Sequence, residues 1–243
     1  MKIMGTVLII FAYFCYTVFL LRIIWRIVLL LKVRENSSSV PQSHSSAEPQ
    51  FRRATGGISF LTIMKTARDI VFLTRLFRVN PLLWFGEWIF HATFVLVLVR
   101  HLRYFVHDPP GWLINLEFAG MLSGYVLPMA LIYILVVKLV FEKKKYFSTG
   151  NFVLLILLLF QSATGLTMTN FIHPDIVEIK TFISHALAFK FLPAPESWLF
   201  IIHFVTAFIF LAYLPTHIFA APLSIIEARK QEEGLDKIIH ERP

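Results

Sequence analysis

The chain has 243 residues, of which 57% are hydrophobic and only 16% charged, with a formal net charge of +8. Ordinary soluble domains run at roughly 45–50% apolar and about 25% charged, so a soluble fold could not cover this much apolar surface, whereas a bilayer can. The basic residues gather at the ends of apolar runs (Arg22, Arg26, Lys32, Arg34; Lys138, Lys143, Lys144, Lys145; Arg229, Lys230), as membrane anchors do, and this argues against a nucleic-acid face.

Crossing a hydrocarbon core takes about 20 mostly apolar residues. Five segments meet that length: Ile3–Leu31, Leu83–Val106, Trp112–Phe141, Asn151–Ile172 and Trp198–Ala221. The first begins like a signal peptide, but it is too long, and arginines follow it where a small-residue cleavage site would lie. It reads as a retained helix within residues 1–34. Residues 35–57, rich in Ser, Pro and Gln, read as a flexible loop. Over 58–80, apolar Phe60, Ile63, Met64, Ala67, Ile70 and Val71 recur at helical spacing opposite Lys65, Arg68, Asp69, Arg75 and Arg78. That pattern predicts an amphipathic helix at the membrane surface, either a solvated face or a docking platform for a soluble partner. Asn80-Pro81 ends it. Residues 81–221 then form a four-helix core and 222–243 a polar tail.

The expected fold is therefore all-α and integral to the membrane: five transmembrane helices with an interfacial amphipathic helix. The loops after spans one, three and five are basic, which puts the N-terminus outside and the C-terminus inside. Arg100 and Arg103, at the outer end of span two, go against that bias. In span three, Gly120 and Gly124 form a small-xxx-small pair suited to close helix approach, and Pro128 predicts a kink.

The chemistry rests on histidine. Of nine histidines, His91 and His101 lie in span two, and His203 and His217 in span five. Ionisable residues inside a bilayer are functional candidates by default, and a low-dielectric site favours the neutral imidazole that binds iron. Spacings of ten and fourteen residues return each pair close to one helix face. With spans two and five antiparallel, His101 meets His203 near the outer surface and His91 meets His217 near the inner one. Two bis-histidine haem b sites stacked across the membrane follow; isolated hydrogen-bonding histidines or a proton path are the plain alternatives. A carbonyl one turn earlier, Thr206 or Tyr213 could hold the second ring nitrogens. Arg100 and Arg103 suit the propionates of an outer haem or a quinone headgroup; interfacial snorkelling is their alternative. His107, His173 and His185 read as solvated loop residues. The lone Cys15 excludes an internal disulfide and a cysteine-ligated iron–sulfur cluster within this chain.

At these four histidines the sequence resembles the gamma subunit of respiratory nitrate reductase and its relatives. The ten-residue spacing of His91 and His101 matches that pattern. The fourteen-residue spacing of His203 and His217, with Pro215 beside it, is more similar to the cytochrome b subunits of sulfur-metabolism and heterodisulfide-reductase-like complexes. So is the run from Asp69 through Arg75 and Pro81 to Trp84. The resemblance implies a dihaem cytochrome b subunit in a prokaryotic cytoplasmic (inner) membrane, exchanging electrons between menaquinone or ubiquinone and an iron–sulfur or molybdenum-type partner subunit. On this expectation quinol is oxidised near Arg100, His101, Arg103 and His107. The partner then docks on Ile58–Arg78 and the basic 138–145 loop. A stand-alone b-type reductase and a haem-free proton or metal transporter or assembly protein are the rivals.

Overall fold

The structure is a computed structural model, and it describes residues 2–36, 60–141 and 149–215. These residues form helices and no strand: α1 (Lys2–Asn36), α2 (Phe60–Val71), α3 (Thr74–Val79), α4 (Pro81–His101), a 3-10 turn (Leu102–Tyr104), α5 (Gly111–Asn115), α6 (Glu117–Val140), α7 (Thr149–Asn170), α8 (Ile176–Leu187) and α9 (Trp198–Tyr213). Among the described residues four stretches are long and apolar enough to cross a membrane, namely Lys2–Val28, Pro81–Tyr104, Glu117–Val140 and Thr149–Asn170. A 24-residue helix rises about 36 Å, enough for a hydrocarbon core of about 30 Å. α9 is apolar over its 16 described residues, and the rest of the expected fifth span lies outside the described residues. Val95, Leu98, Met129, Ile132, Val136, Ile156 and Phe160 point outward and are exposed. Such a surface is stable against lipid and costly against water, and the chain is an integral membrane helical protein.

The chain divides into two compact units, one of residues 1–19 and 76–214 and the other of 20–75 and 215–243. In the first, α6 is the centre, with α4 along one side and α7 along another, and α9 packs on α7. Its buried residues, Gly120, Ser123, Leu127, Ala130, Leu131, Ile134 and Val137, recur every three or four positions, the stripe a packed helix needs. Gly86 on α4 meets the Tyr133 ring so closely that a Cβ there would sit 2.6 Å from Cδ1, and the Tyr133 hydroxyl donates to the Leu82 carbonyl at 3.1 Å. Leu83, Ile134, Val137 and Leu155 close one core layer, and Leu127, Leu131 and Leu158 the next. Neighbouring helices run antiparallel: Arg100 lies over Gly120, Tyr125 donates to Asn170 at 2.7 Å, and Gln161 meets His203.

At one end of this unit the start of α1 packs on α8. Leu8 and Ile9 join Ile179, Phe182, Ala194 and Phe200 in a core, and the Tyr13 hydroxyl donates to the Ala186 carbonyl. α8 corrects the reading of His185 as a loop residue. Asp175 accepts from the Val177 N–H at 2.8 Å and starts the helix, a cap that satisfies a free donor of the first turn. His107 and His173 are exposed, whereas His185 is on α8, its Nδ1 2.9 Å from the Thr181 carbonyl.

The single amphipathic helix expected over 58–80 is broken after Val71, where Leu73 takes a left-handed φ of 49°. Residues 58–59 lie outside the described residues. Asp69, assigned by periodicity to the polar face, is instead buried and accepts a hydrogen bond from the Thr74 hydroxyl. The Asn80-Pro81 boundary is a cap in the first unit: Asn80 accepts from the Leu83 N–H at 3.0 Å, with proline at the first helical position, where its missing N–H costs nothing. Gly120 and Gly124 do not act as a pair. A Cβ at Gly120 would strike Arg100, whereas one at Gly124 would meet nothing within 4 Å. Gly124 is four residues before Pro128, which lies inside α6 and cannot donate to its carbonyl.

Candidate functional site

Span two carries His91 and His101 on α4, and each is oriented by the backbone one turn before it. His91 Nδ1 is 2.6 Å from the Glu87 carbonyl and His101 Nδ1 is 2.7 Å from the Val97 carbonyl. A carbonyl only accepts, so each Nδ1 carries the hydrogen, and in the neutral ring Nε2 keeps a lone pair.

His203, on α9, lies across from His101. Their ring centres are 6.3 Å apart with planes within 11° of parallel. α4 and α9 do not pack backbone to backbone as α4 and α6 do; rings span the space between them, with Phe94 edge-on to Phe210 at 5.9 Å. Two imidazoles that share one metal at about 2 Å per bond have ring centres roughly 6 Å apart, so the spacing of the two rings suits a bis-imidazole iron, with His203 Nε2 engaged by Gln161 of α7. Among the described residues no three His, Cys, Asp or Glu side chains converge as a protein-only metal cage would require. His91 is exposed on α4, beside the Phe90 ring at 4.8 Å. His217 lies outside the described residues.

His203 is held from α7. Thr164 Oγ1 is 2.8 Å from its Nδ1, Gln161 Nε2 is 2.8 Å from its Nε2, and the same amide nitrogen is 3.2 Å from the His203 carbonyl. Thr206, one of the alternatives offered with a carbonyl one turn earlier and Tyr213 for holding a second ring nitrogen, reaches Gln161 Oε1 at 2.5 Å. Gly165 makes room for the ring, since a Cβ there would lie 3.3 Å from His203 Cε1.

Arg100 and Arg103 do not simply reach for solvent. Arg103 pairs with Glu117, lies 5.0 Å over the Tyr104 ring and donates to its hydroxyl at 3.2 Å. The stem of Arg100 packs on Gly120. Both arginines line a cavity of about 270 Å³ with Glu117, Lys180 of α8 and the apolar Leu113, Ile114 and Ile176. Two cations, Arg100 and Lys180, have no carboxylate in ion-pair range among the described residues. Tyr104 carries the cluster to within 5.9 Å of the His101 ring.

Three polar residues escaped the sequence reading. Glu87 pairs with Lys138 at 3.1 Å between α4 and α6, each side chain under one-fifth exposed. Gln161 and Thr164 form the His203 cradle. The signal was present: Glu87 is the only acidic residue of its span, and Gln161 follows nine apolar residues, where a polar group needs a partner.

No protein-family model matches the chain, and no solved structure does. It is similar to a protein of Archaeoglobus profundus named Hdr-like menaquinol oxidoreductase cytochrome b-like subunit, 24% identical over 240 residues, covering 84% of this chain and 71% of the relative. It is also similar to a protein of the same name from Archaeoglobus fulgidus, 27% identical over 150 residues, covering 55% of this chain and 45% of that relative. Both likenesses support a cytochrome b-like membrane subunit.

Proposed function

We propose that the chain is the dihaem cytochrome b subunit of a membrane oxidoreductase that links the quinone pool to a partner redox subunit. The observation that carries this reading is the near-parallel pair His101 and His203, 6.3 Å between ring centres, on two helices spaced by rings and not by backbone contact. The relatives' shared name supports it, and menaquinol is the substrate class it suggests for this chain. The likeness to the nitrate reductase gamma subunit rests on the ten-residue spacing of His91 and His101 alone.

On this reading His101 and His203 hold one haem b near the outer surface, and His91 and His217 the other near the inner. A bis-histidine haem supplies one-electron transfer without an open coordination site. The chain's own residues do the rest. The Val97 and Glu87 carbonyls fix the tautomers of His101 and His91 and raise the basicity of the ligating nitrogens. Phe94 and Phe210 exclude water from the layer between the two sites. The cavity beside Arg100, Arg103, Glu117 and Lys180 takes the quinone headgroup, with Leu113, Ile114 and Ile176 against its ring or tail; a haem propionate is the other acceptor for Arg100. The N-terminus faces outward, and an iron–sulfur or molybdenum-type subunit docks at the inner face of a prokaryotic cytoplasmic membrane.

Stopped-flow mixing of the purified, oxidised protein with a menaquinol analogue tests this. Growth of the b-type reduced bands is expected, with half-saturation raised about ten-fold in the double variant Arg100→Gln/Lys180→Gln. Dithionite reduction without any quinol reduction would remove the quinone assignment.

A further inference from the structure

The His203 cradle has more in it than a ligand orienter needs. Thr164 Oγ1 is 3.0 Å from the Gln161 carbonyl and spends its hydrogen there, so it accepts from His203 Nδ1. The Gln161 amide cannot be turned round, because its nitrogen also faces the His203 backbone carbonyl at 3.2 Å; an oxygen there would set two acceptors together. The bonds therefore have one direction: Thr206 hydroxyl to Gln161 Oε1, Gln161 N–H to His203 Nε2, His203 Nδ1–H to Thr164, and Thr164 to the Gln161 carbonyl. The lone pair on Nε2 is the one an iron would need, and Gln161 occupies it.

We propose that Gln161 is a positioning residue that competes with haem iron for the ligating nitrogen of His203. The inference rests on the haem reading above. It explains why a ring inside an apolar bundle has both nitrogens satisfied: a buried unpaired acceptor costs free energy, and the amide removes that cost until ligation replaces it. Thr164 acts the other way, since its bond to Nδ1–H persists in the ligated ring and strengthens the donor. The two side chains, three residues apart on one helix face, should therefore have opposite effects on haem binding.

The test titrates haemin into the full chain produced haem-free, in a His91→Ala background that isolates the His101/His203 site. Removing the competing bond in Gln161→Leu should tighten binding by about five-fold, the worth of one neutral hydrogen bond. Thr206→Val, which only loosens Gln161, should move binding in the same direction by less and covers the case in which Gln161→Leu fails to fold. Thr164→Val should weaken binding. A purely structural cradle predicts that all three weaken it; that result, or an unchanged affinity in Gln161→Leu, overturns the proposal while leaving haem binding intact. A parent chain that binds no haemin would instead sink the haem reading itself.

Discussion

The Glu87–Lys138 pair offers a quantitative test of the packing between α4 and α6. At 3.1 Å and an effective dielectric near 20, the attraction between two unit charges is ~5 kcal/mol, largely offset by the cost of desolvating both. Cutting one partner does not return that balance to zero, because it leaves the other charge unpaired in a low-dielectric setting. Lys138→Met should therefore destabilise the chain by about 3 kcal/mol, the lower end for broken buried pairs, since both side chains retain some exposure. For a chain of this size that is a fall of roughly 6–12 °C in apparent Tm. The double variant Glu87→Gln/Lys138→Met removes both charges and should recover to within about 1 kcal/mol of wild type. Thermal unfolding of the detergent-purified protein, at one scan rate for all variants, reads this out. A single variant as stable as wild type, or a double variant as damaged as the single, would refute the claim that the pair is coupled.

Further outcomes concern close approaches. Gly86→Ala should cost about 1–3 kcal/mol, because its Cβ would meet the Tyr133 ring at 2.6 Å; shortening that ring in Gly86→Ala/Tyr133→Leu should recover part of the loss in the same melting assay. Gly5→Ala should be worse tolerated, since its Cβ would lie 1.9 Å from the Leu192 carbonyl and backbone cannot rotate aside. Limited proteolysis should then cut near 190–195, where wild type resists. Asp175→Ala should lower stability by about 1 kcal/mol through loss of the α8 cap, with Asp175→Asn close to neutral.

The parts of this architecture that were legible in the sequence are those fixed by local rules. The runs that became α1, α4, α6 and α7 announce themselves by length and apolarity, and Asn80-Pro81 announces the start of α4. The histidines in spans two and five stand out because a bilayer makes them costly. What was missed depends on partners distant in sequence. Lys138 reads as an interfacial anchor until Glu87, on another helix, is seen beside it. The neighbours of Arg100 and Arg103, Gly120 and Glu117, come from another helix and are invisible in the sequence. α8 is too short to span and so read as loop, although Asp175 and Glu178 form a cap-like signature ahead of its apolar face. The break at Leu73 has no glycine or asparagine to signal it.

The central claim is tested most directly by counting haem per chain in the purified protein from its visible and pyridine-haemochrome spectra, beside His101→Ala and His203→Ala. The account predicts two b-type haems in wild type and one in each variant, with the same spectral component lost from both. A folded wild-type chain without haem when haem is supplied, or variants that each keep both, would contradict it.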